Sequence, residues 1–391
     1  MVLSLEKVAV IGVGLTPFGE RWDTSFRELA IEAGAAALKD AGIYGKDVQA
    51  LFGGCMAAGR LTGQEHIGAL LADQMGLNPI PATRCEAACA SGGVALRAGY
   101  TAVTSGLYDI VAVGGVEKMT EVSAEDVATA LGGAGDQEWE LFNGATFPAL
   151  YALVARRHML DYGTTEEQMA ACAVKNHANA CHNPFAQYRR EITIEEVMGS
   201  GYVAEPLKLL DCSPITDGAA AVILCNAEKA KEYVDTPIEI VASAQASDTL
   251  ALANRQSVTE FKATKVAAQD AYRQAGIKAK DVDFAEVHDC FTIAEILAIE
   301  DLGFFPKGKG GKAAEDGETR LNAKVSVNTS GGLKAKGHPV GATGVAQAVE
   351  AVLQLRGEAG KRQVDNAEIG LTHNVGGSGA TCVVNVFKRM D

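Results

Sequence analysis

Residues 33–55 read AGAAALKDAGIYGKDVQALFGGC, and residues 267–290 read AAQDAYRQAGIKAKDVDFAEVHDC. Placing Ala41-Gly42-Ile43 on Ala275-Gly276-Ile277, an offset of 234, sets Lys46-Asp47-Val48 on Lys280-Asp281-Val282 without a gap. Each stretch predicts an Ala-rich helix, a glycine stop, a short turn and a strand. Three more matches follow in the same order. Ser91-Gly92-Gly93 pairs with Ser330-Gly331-Gly332, residues 109–115 pair with 368–377, and residues 218–222 pair with 379–383. Ordered self-similarity of this kind indicates a duplicated α/β unit.

The repeat exposes an insertion. From Gly115 to Gly218 is 103 positions, whereas from Gly377 to Gly379 is 2. About 100 extra residues, 117–216, therefore interrupt the first half. They contain Trp139, His158, His177 and His182. A helix is expected over 165–180, opened by a capping box from Thr164 or Thr165 with Glu167 or Gln168. A lobe inserted in a symmetric core suits a substrate cover. Strands are predicted at 7–12, 49–55, 82–86, 110–114, 219–225, 238–244, 284–287, 324–327, 369–373 and 381–388. Helical stretches separate most of them, so mixed sheets with helical layers are expected.

Composition narrows the function. Of 391 residues, 48% are apolar and 21% charged, which suits a globular chain with large cores. A net charge of −14 argues against a general nucleic-acid binder. No run reaches the roughly 18–20 apolar residues of a membrane span. Residues 1–7 run directly into a strand without the pattern of a secretory leader, and the last four residues match no retention or peroxisomal tag. Nine cysteines form no CxxC pair. A cytoplasmic protein with free thiols, no disulfide scaffold and no metal site is expected.

Four short segments carry chemistry. Residues 84–93 (RCEAACASGG) end a strand and open a helix. Cys89 there meets unpaired N–H groups and a helix dipole, which would lower a thiol pKa; a small residue packed under a helix is the alternative reading. Residues 328–344 hold His338 between Gly337 and Pro339, a loop position suited to a base for a cysteine, or to a surface turn. Residues 286–291 (EVHDCF) place His288, Asp289 and Cys290 at a strand end, where Asp289 as a helix N-cap and Cys290 as core offer another account. Residues 373–379 (HNVGGSG) read as a glycine turn between two strands. Elsewhere Cys85, the three histidines of the insertion, and Lys307, Lys309 and Lys312 read as structural or solvated groups. Gly12-Val13-Gly14 lacks the rest of a dinucleotide fingerprint.

Cys89-Ala90-Ser91-Gly92, Gly337-His338-Pro339-Val340-Gly341-Ala342-Thr343-Gly344 and Asp217-Gly218-Ala219-Ala220-Ala221 together resemble the thiolase superfamily, across essentially the whole chain. The resemblance implies a duplicated fold with two mixed five-stranded sheets in a layered α-β-α-β-α arrangement. It implies an N-terminal half at 1–116 and 217–236, the inserted lobe at 117–216, and a C-terminal half at 237–391. It implies acyl transfer between coenzyme A thioesters with no permanently bound cofactor. Cys89 would be acylated and His338 would activate it. The backbone N–H groups of Cys89 and Gly376 would form one oxyanion hole, and His288 with His338 the other.

One departure is informative. His288-Asp289-Cys290-Phe291 stands where most thiolases carry Asn-Glu-Ala-Phe, and Asn374 stands where they carry a second catalytic cysteine. This exchange resembles the sterol-carrier-protein type and its archaeal relatives, and makes Cys290 the acid/base candidate. Condensation of two acetyl-CoA to acetoacetyl-CoA is the implied reaction. A thiolase for longer 3-oxoacyl-CoA and a non-catalytic acyl-CoA-binding scaffold are the rivals. A homo-dimer or tetramer is implied, with hydroxymethylglutaryl-CoA synthase and a small zinc-ribbon/OB-fold protein as further partners.

Overall fold

The computed structural model describes residues 6–390; the readings made on residues 1–5 and 391 lie outside them. Its strands are β1 (Val8–Leu15), β2 (Ala50–Gly54), β3 (Ala82–Cys85), β4 (Ile110–Glu117), β5 (Tyr202–Ala204), β6 (Leu207–Lys208), β7 (Gly218–Asn226), β8 (Ile238–Ser247), β9 (Phe284–Glu286), β10 (Ser326–Val327), β11 (Ile369–Gly376) and β12 (Thr381–Arg389). All ten strands expected from the sequence are present. The short hairpin β5–β6 is additional.

The ten run in the order β3-β2-β4-β7-β1-β8-β12-β11-β9-β10. In the first five, β3, β2 and β4 are parallel, and β7 and β1 follow antiparallel. In the last five, β10, β9 and β11 are parallel, and β12 and β8 follow antiparallel. The duplication is thus repeated strand for strand. The sheets are not separate, however. β1 and β8 pair antiparallel through Val8↔Ile240, Ala9↔Glu239 and Val10↔Ile238, joining both fives into one ten-stranded sheet. That pairing satisfies N–H and C=O groups that two separate sheets would leave open at their edges.

Alternation along β1 explains the layering. Val8 and Val10 enter one core, Ala9 and Ile11 another, on the opposite face. The first core contains the helices Ser91–Thr104 and Thr343–Arg356, buried between the two halves. The helix Phe26–Asp40 covers the outer face of the first half, and Lys262–Ala275 that of the second. Thr343–Arg356 is buried almost all round, as an interior helix should be. Most of its buried polar groups are paired: Glu350 binds Arg362, and Gln347 donates to the His373 carbonyl, leaving only its own Oε1 without a partner.

One sequence match is not a structural equivalence. Ser91 opens its helix directly, but Ser330 lies well before Thr343, and the turn Gly332–Lys336 and the His338 loop fall between. The two inner helices nonetheless meet backbone to backbone. A Cβ on Gly344 would lie 2.2 Å from Gly93 N, and one on Gly92 2.8 Å from Gly341 O. Only glycine permits that approach.

Between β4 and β7 lie the helices Ala124–Gly132, Phe147–Tyr162, Glu166–Ala180 and Ile194–Gly199 with the hairpin β5–β6. Thr165 and Gln168 form the capping box of Glu166–Ala180. At the base of this segment Asp217 accepts from Lys118 Nζ (2.7 Å), Met119 N (2.6 Å), Thr120 N (3.0 Å) and Arg21 N (3.0 Å). Lys118 and Asp217 are both fully buried, so this pair clasps the point where the segment leaves the sheet to the point where it returns. Among the described residues no helix is long and apolar enough to cross a membrane.

Candidate active site

Cys89 sits in the turn between β3 and the helix Ser91–Thr104. Ala88 adopts a left-handed conformation (φ 53°), and the Ser91 hydroxyl straps the turn by accepting from Ala87 N (3.0 Å) and donating to Ala88 O (2.6 Å). Such a conformation in a non-glycine residue costs on the order of 1–2 kcal/mol and is held by its surroundings. It leaves Cys89 half-buried, immediately before the helix N-cap Ala90.

His338 reaches the same place from the loop ahead of Thr343–Arg356. Its backbone N–H donates to Thr216 Oγ1 (3.0 Å), and Gly341 N donates to Glu117 Oε2 (3.1 Å). Glu117 also accepts from Met56 N and Ala57 N, so one buried carboxylate binds the β2 end to the histidine loop. Thr343 Oγ1 donates to Pro339 O and lies 2.7 Å from His338 Nδ1. The hydroxyl proton is thereby engaged, which assigns a proton to Nδ1 and leaves Nε2 as an acceptor.

His288 is oriented by Asn374. The Asn374 Oδ1 accepts from Gly93 N (3.0 Å), and its Nδ2 donates to Cys89 O (3.0 Å) and His288 Nδ1 (3.2 Å). Since Nδ1 accepts, His288 carries its proton on Nε2 and presents a donor. Both Nε2 atoms are buried and unpartnered within the described residues. The Cys89 sulfur and one ring nitrogen from each histidine lie within 4.8 Å of one another. The rings meet edge to face with centroids 5.0 Å apart.

Cys89 and His338 line a cavity of about 260 Å³, whose other walls are mainly apolar and include Cys290, Tyr151 and Cys212; His288 lies behind them. Asp289 points the other way. It accepts from Leu333 N (2.7 Å), Lys334 N (3.2 Å) and Asn176 Nδ2 (2.7 Å). It therefore caps the turn Gly332–Lys336 rather than the helix Thr292–Asp301, whose N-cap is Phe291. Asn176 also donates to Glu295, which pairs with Lys175. This network joins the inserted helix Glu166–Ala180 to both segments carrying His288 and His338.

The expectation of a lowered thiol pKa is not met. Burial pushes Cys89 up to about 12, against the opposing N–H group of Gly377. Burial likewise moves Cys290 well above its ordinary value, His338 down to about 3 and His288 well below the usual imidazole range. Desolvation of the charged forms outweighs the helix terminus. The resting thiols and imidazoles are therefore neutral, and charge must develop during the reaction. Asp289 rises to about 7, through burial first and the nearby Glu295 second.

The four expected side chains thus converge. Gly376 ends β11 against the Cys89 turn, where a Cβ would meet Ala87 O at 2.3 Å, but the N–H directed at the Cys89 sulfur is that of Gly377. Sequence reasoning missed Asn374 as an organiser, although its place where relatives carry a cysteine marked it. It missed Tyr151, Thr343 and Glu117, which no local pattern signals. His158 bonds Thr164 and Glu300, His177 bonds Arg190 O, and Lys307 pairs with Asp301, in keeping with structural roles. Removing Asn374 strands Gly93 N–H and frees His288 to turn. Asn374→Ala should lower kcat about 100-fold by misplacing the trio. It should also destabilise the fold by about 1–3 kcal/mol, read by thermal unfolding.

A strand-turn-helix cysteine beside two oriented imidazoles, on a duplicated α/β core, defines a thiol-dependent acyl-transfer fold. The thiolase N-terminal domain model matches residues 8–228, and the thiolase C-terminal domain-like model matches 244–389. The chain belongs to the thiolase family. It is 59% identical to an acetyl-CoA acetyltransferase of Methanothermobacter thermautotrophicus over 98% of this chain and 100% of that protein. It is 51% identical to the acetyl-CoA acetyltransferase of Methanocaldococcus jannaschii, covering 98% and 99% respectively. Sterol carrier protein 2 of Bos taurus is 36% identical over 98% of this chain and 72% of its own length. A solved structure titled as an Ltp2–ChsH2(DUF35) aldolase superposes with a TM-score of 0.85 at 27% identity, covering 98% of both chains.

Proposed function

We propose that this chain catalyses the reversible condensation of two acetyl-CoA to acetoacetyl-CoA and CoA, with Cys89 as the acylated nucleophile. The observation that carries the chemistry is the Cys89 sulfur with ring nitrogens of His288 and His338 within 4.8 Å, Cys89 and His338 lining one cavity. The full-length similarity to two archaeal acetyl-CoA acetyltransferases supports the substrate. Cys89 attacks the thioester carbonyl as His338 Nε2 takes the thiol proton. His288 Nε2–H donates to the developing oxyanion of one half-reaction, and the backbone N–H groups of Cys89 and Gly376 serve the other. Departing CoA takes a proton from Cys290. The Cys290 thiolate then removes a methyl proton from the second acetyl-CoA. The carbanion attacks acetyl-Cys89, and the released sulfur regains its proton from His338.

Residues 117–216 form the substrate-covering lobe in this reading, between an N-terminal half at 1–116 and 217–236 and a C-terminal half at 237–391. No permanent cofactor is needed, since the thioester supplies the activation. A homo-dimer or tetramer in the cytoplasm is the working form. The named DUF35 component of the similar aldolase supports a small zinc-ribbon/OB-fold partner, through which acetoacetyl-CoA would pass to hydroxymethylglutaryl-CoA synthase. The cavity of about 260 Å³ favours a second reading, thiolysis of longer 3-oxoacyl-CoA. Thiolysis rates with acetoacetyl-CoA and with C6–C12 3-oxoacyl-CoA separate the two. A kcat/KM highest for acetoacetyl-CoA is expected; a maximum at longer chains would replace the acetyl assignment.

A further inference from the structure

Tyr151 is the one tyrosine in the cavity lining, and it comes from the inserted helix Phe147–Tyr162. It is 1% exposed. Its ring is fixed between Phe291, at 4.7 Å between centroids, and Phe261, edge-on at 6.2 Å. Phe291 follows Cys290 directly in the chain. The Tyr151 hydroxyl donates to Gly377 O (3.1 Å), and Tyr151 shares the cavity lining with Cys290, whose ionisation it favours. A purely apolar wall would be served as well by phenylalanine. A buried hydroxyl placed between a catalytic-loop carbonyl and a thiol has two possible acceptors, the carbonyl oxygen and the sulfur.

We propose that Tyr151 is the positioning residue for Cys290: its hydroxyl rests on Gly377 O while Cys290 is a thiol, and turns to donate to the sulfur once Cys290 has lost its proton. This rests on Cys290 being the base of the condensation step. The proton path balances. Cys290 gives its proton to the departing CoA sulfur, and the thiolate takes the Tyr151 O–H hydrogen bond in place of that proton. When the thiolate removes a proton from the acetyl-CoA methyl carbon, it becomes a thiol again and the hydroxyl returns to Gly377 O. The tyrosine keeps its own proton throughout.

The need for a donor follows from the surroundings. Cys89 and Asp289 both oppose ionisation of Cys290, and burial opposes it more strongly. His338 and Cys212 line the same cavity; burial leaves both neutral at rest, and the proton His338 carries later is the one it took from Cys89 and returns there. Tyr151 and the Phe291 backbone N–H are the groups that favour the thiolate. Arg255 faces Tyr151, and its guanidinium is held by Ser378 and Thr249. A charge-assisted bond from a rigid, buried hydroxyl is the strong kind.

The test compares Tyr151→Phe, Cys290→Ala and the unaltered full-length protein. Tyr151→Phe keeps the ring packing. Two half-reactions are read separately: acetylation of Cys89 by acetyl-CoA, and exchange of acetyl-CoA methyl protons with solvent deuterium from pH 6 to 10. Tyr151→Phe should acetylate Cys89 within about threefold of normal. Its exchange should fall about 10- to 100-fold at pH 7, with the rising limb of the pH profile displaced upward by about one unit or more. As a second readout, alkylation of Cys290 by iodoacetamide in a Cys89→Ala background should need correspondingly higher pH. An exchange profile and alkylation curve unmoved by Tyr151→Phe, while Cys290→Ala loses exchange, would overturn the role of Tyr151 alone. Acetylation and exchange falling together, with an unmoved alkylation curve, would show a structural role and also overturn it. Normal exchange in Cys290→Ala would remove the base assignment itself.

Discussion

Cys89→Ala should abolish acyl transfer, lowering turnover by about 10⁵- to 10⁶-fold, the loss seen when a covalent nucleophile is removed from a working group. Incubation with radiolabelled acetyl-CoA should label the peptide carrying Cys89 in the unaltered protein and leave the variant unlabelled. Folding should persist, because the turn is held by Ser91 on Ala87 and Ala88 and by Asn374 on the Cys89 carbonyl, none of which uses the sulfur. Cys85, four residues away, is packed against the inner core and is pushed up to about 11 by burial. Labelling that survives in Cys89→Ala, or transfers to Cys85, would refute the nucleophile assignment.

The second large effect belongs to Cys290. Condensation needs a group that removes a methyl proton and, in the other half-reaction, protonates departing CoA. Asn374 cannot titrate, and its amide is already shared among Gly93, Cys89 and His288. His338 is directed to Cys89, and His288 is locked as a donor. Cys290, 7% exposed, lining the same cavity and two residues from His288, is the thiol assigned to that task ahead of Cys212. Cys290→Ala should therefore still accept acetyl on Cys89, while methyl-proton exchange falls about 10²- to 10⁴-fold, the usual scale of a positioned acid/base. Deuterium incorporation followed by mass spectrometry, alongside peptide labelling, separates the two steps. The double change Cys290→Ala with Asn374→Cys returns a thiol to the cavity but removes the amide that orients His288. It is expected to recover only part of the exchange. Wild-type exchange in Cys290→Ala would make the thiol a packing residue.

The neutral resting state makes these two cysteines interdependent. Both thiols lie above the ordinary range because burial disfavours the thiolate, and a charged Cys89 raises Cys290 further. In the proposed cycle Cys290 ionises only after Cys89 has been acylated and can no longer carry charge.

The sequence by itself determined the duplication, the ten strands and the helix that follows Cys89, because those depend on alternation, glycine stops and caps acting over a few residues. It also marked Cys89 and His338, which stand in glycine- or proline-bounded turns, and His288 and Cys290, which follow the end of an apolar strand. It misjudged the thiol pKa, because desolvation depends on what the rest of the chain packs around the sulfur. The joining of the two sheets at β1 and β8 was likewise a matter of which edges meet. Only the tertiary structure revealed Asn374 reaching Cys89 across 285 positions and Tyr151 reaching Gly377 across 226. Such contacts leave no periodicity to read: a hydrogen bond between distant segments exists only once the glycines have let two backbones approach.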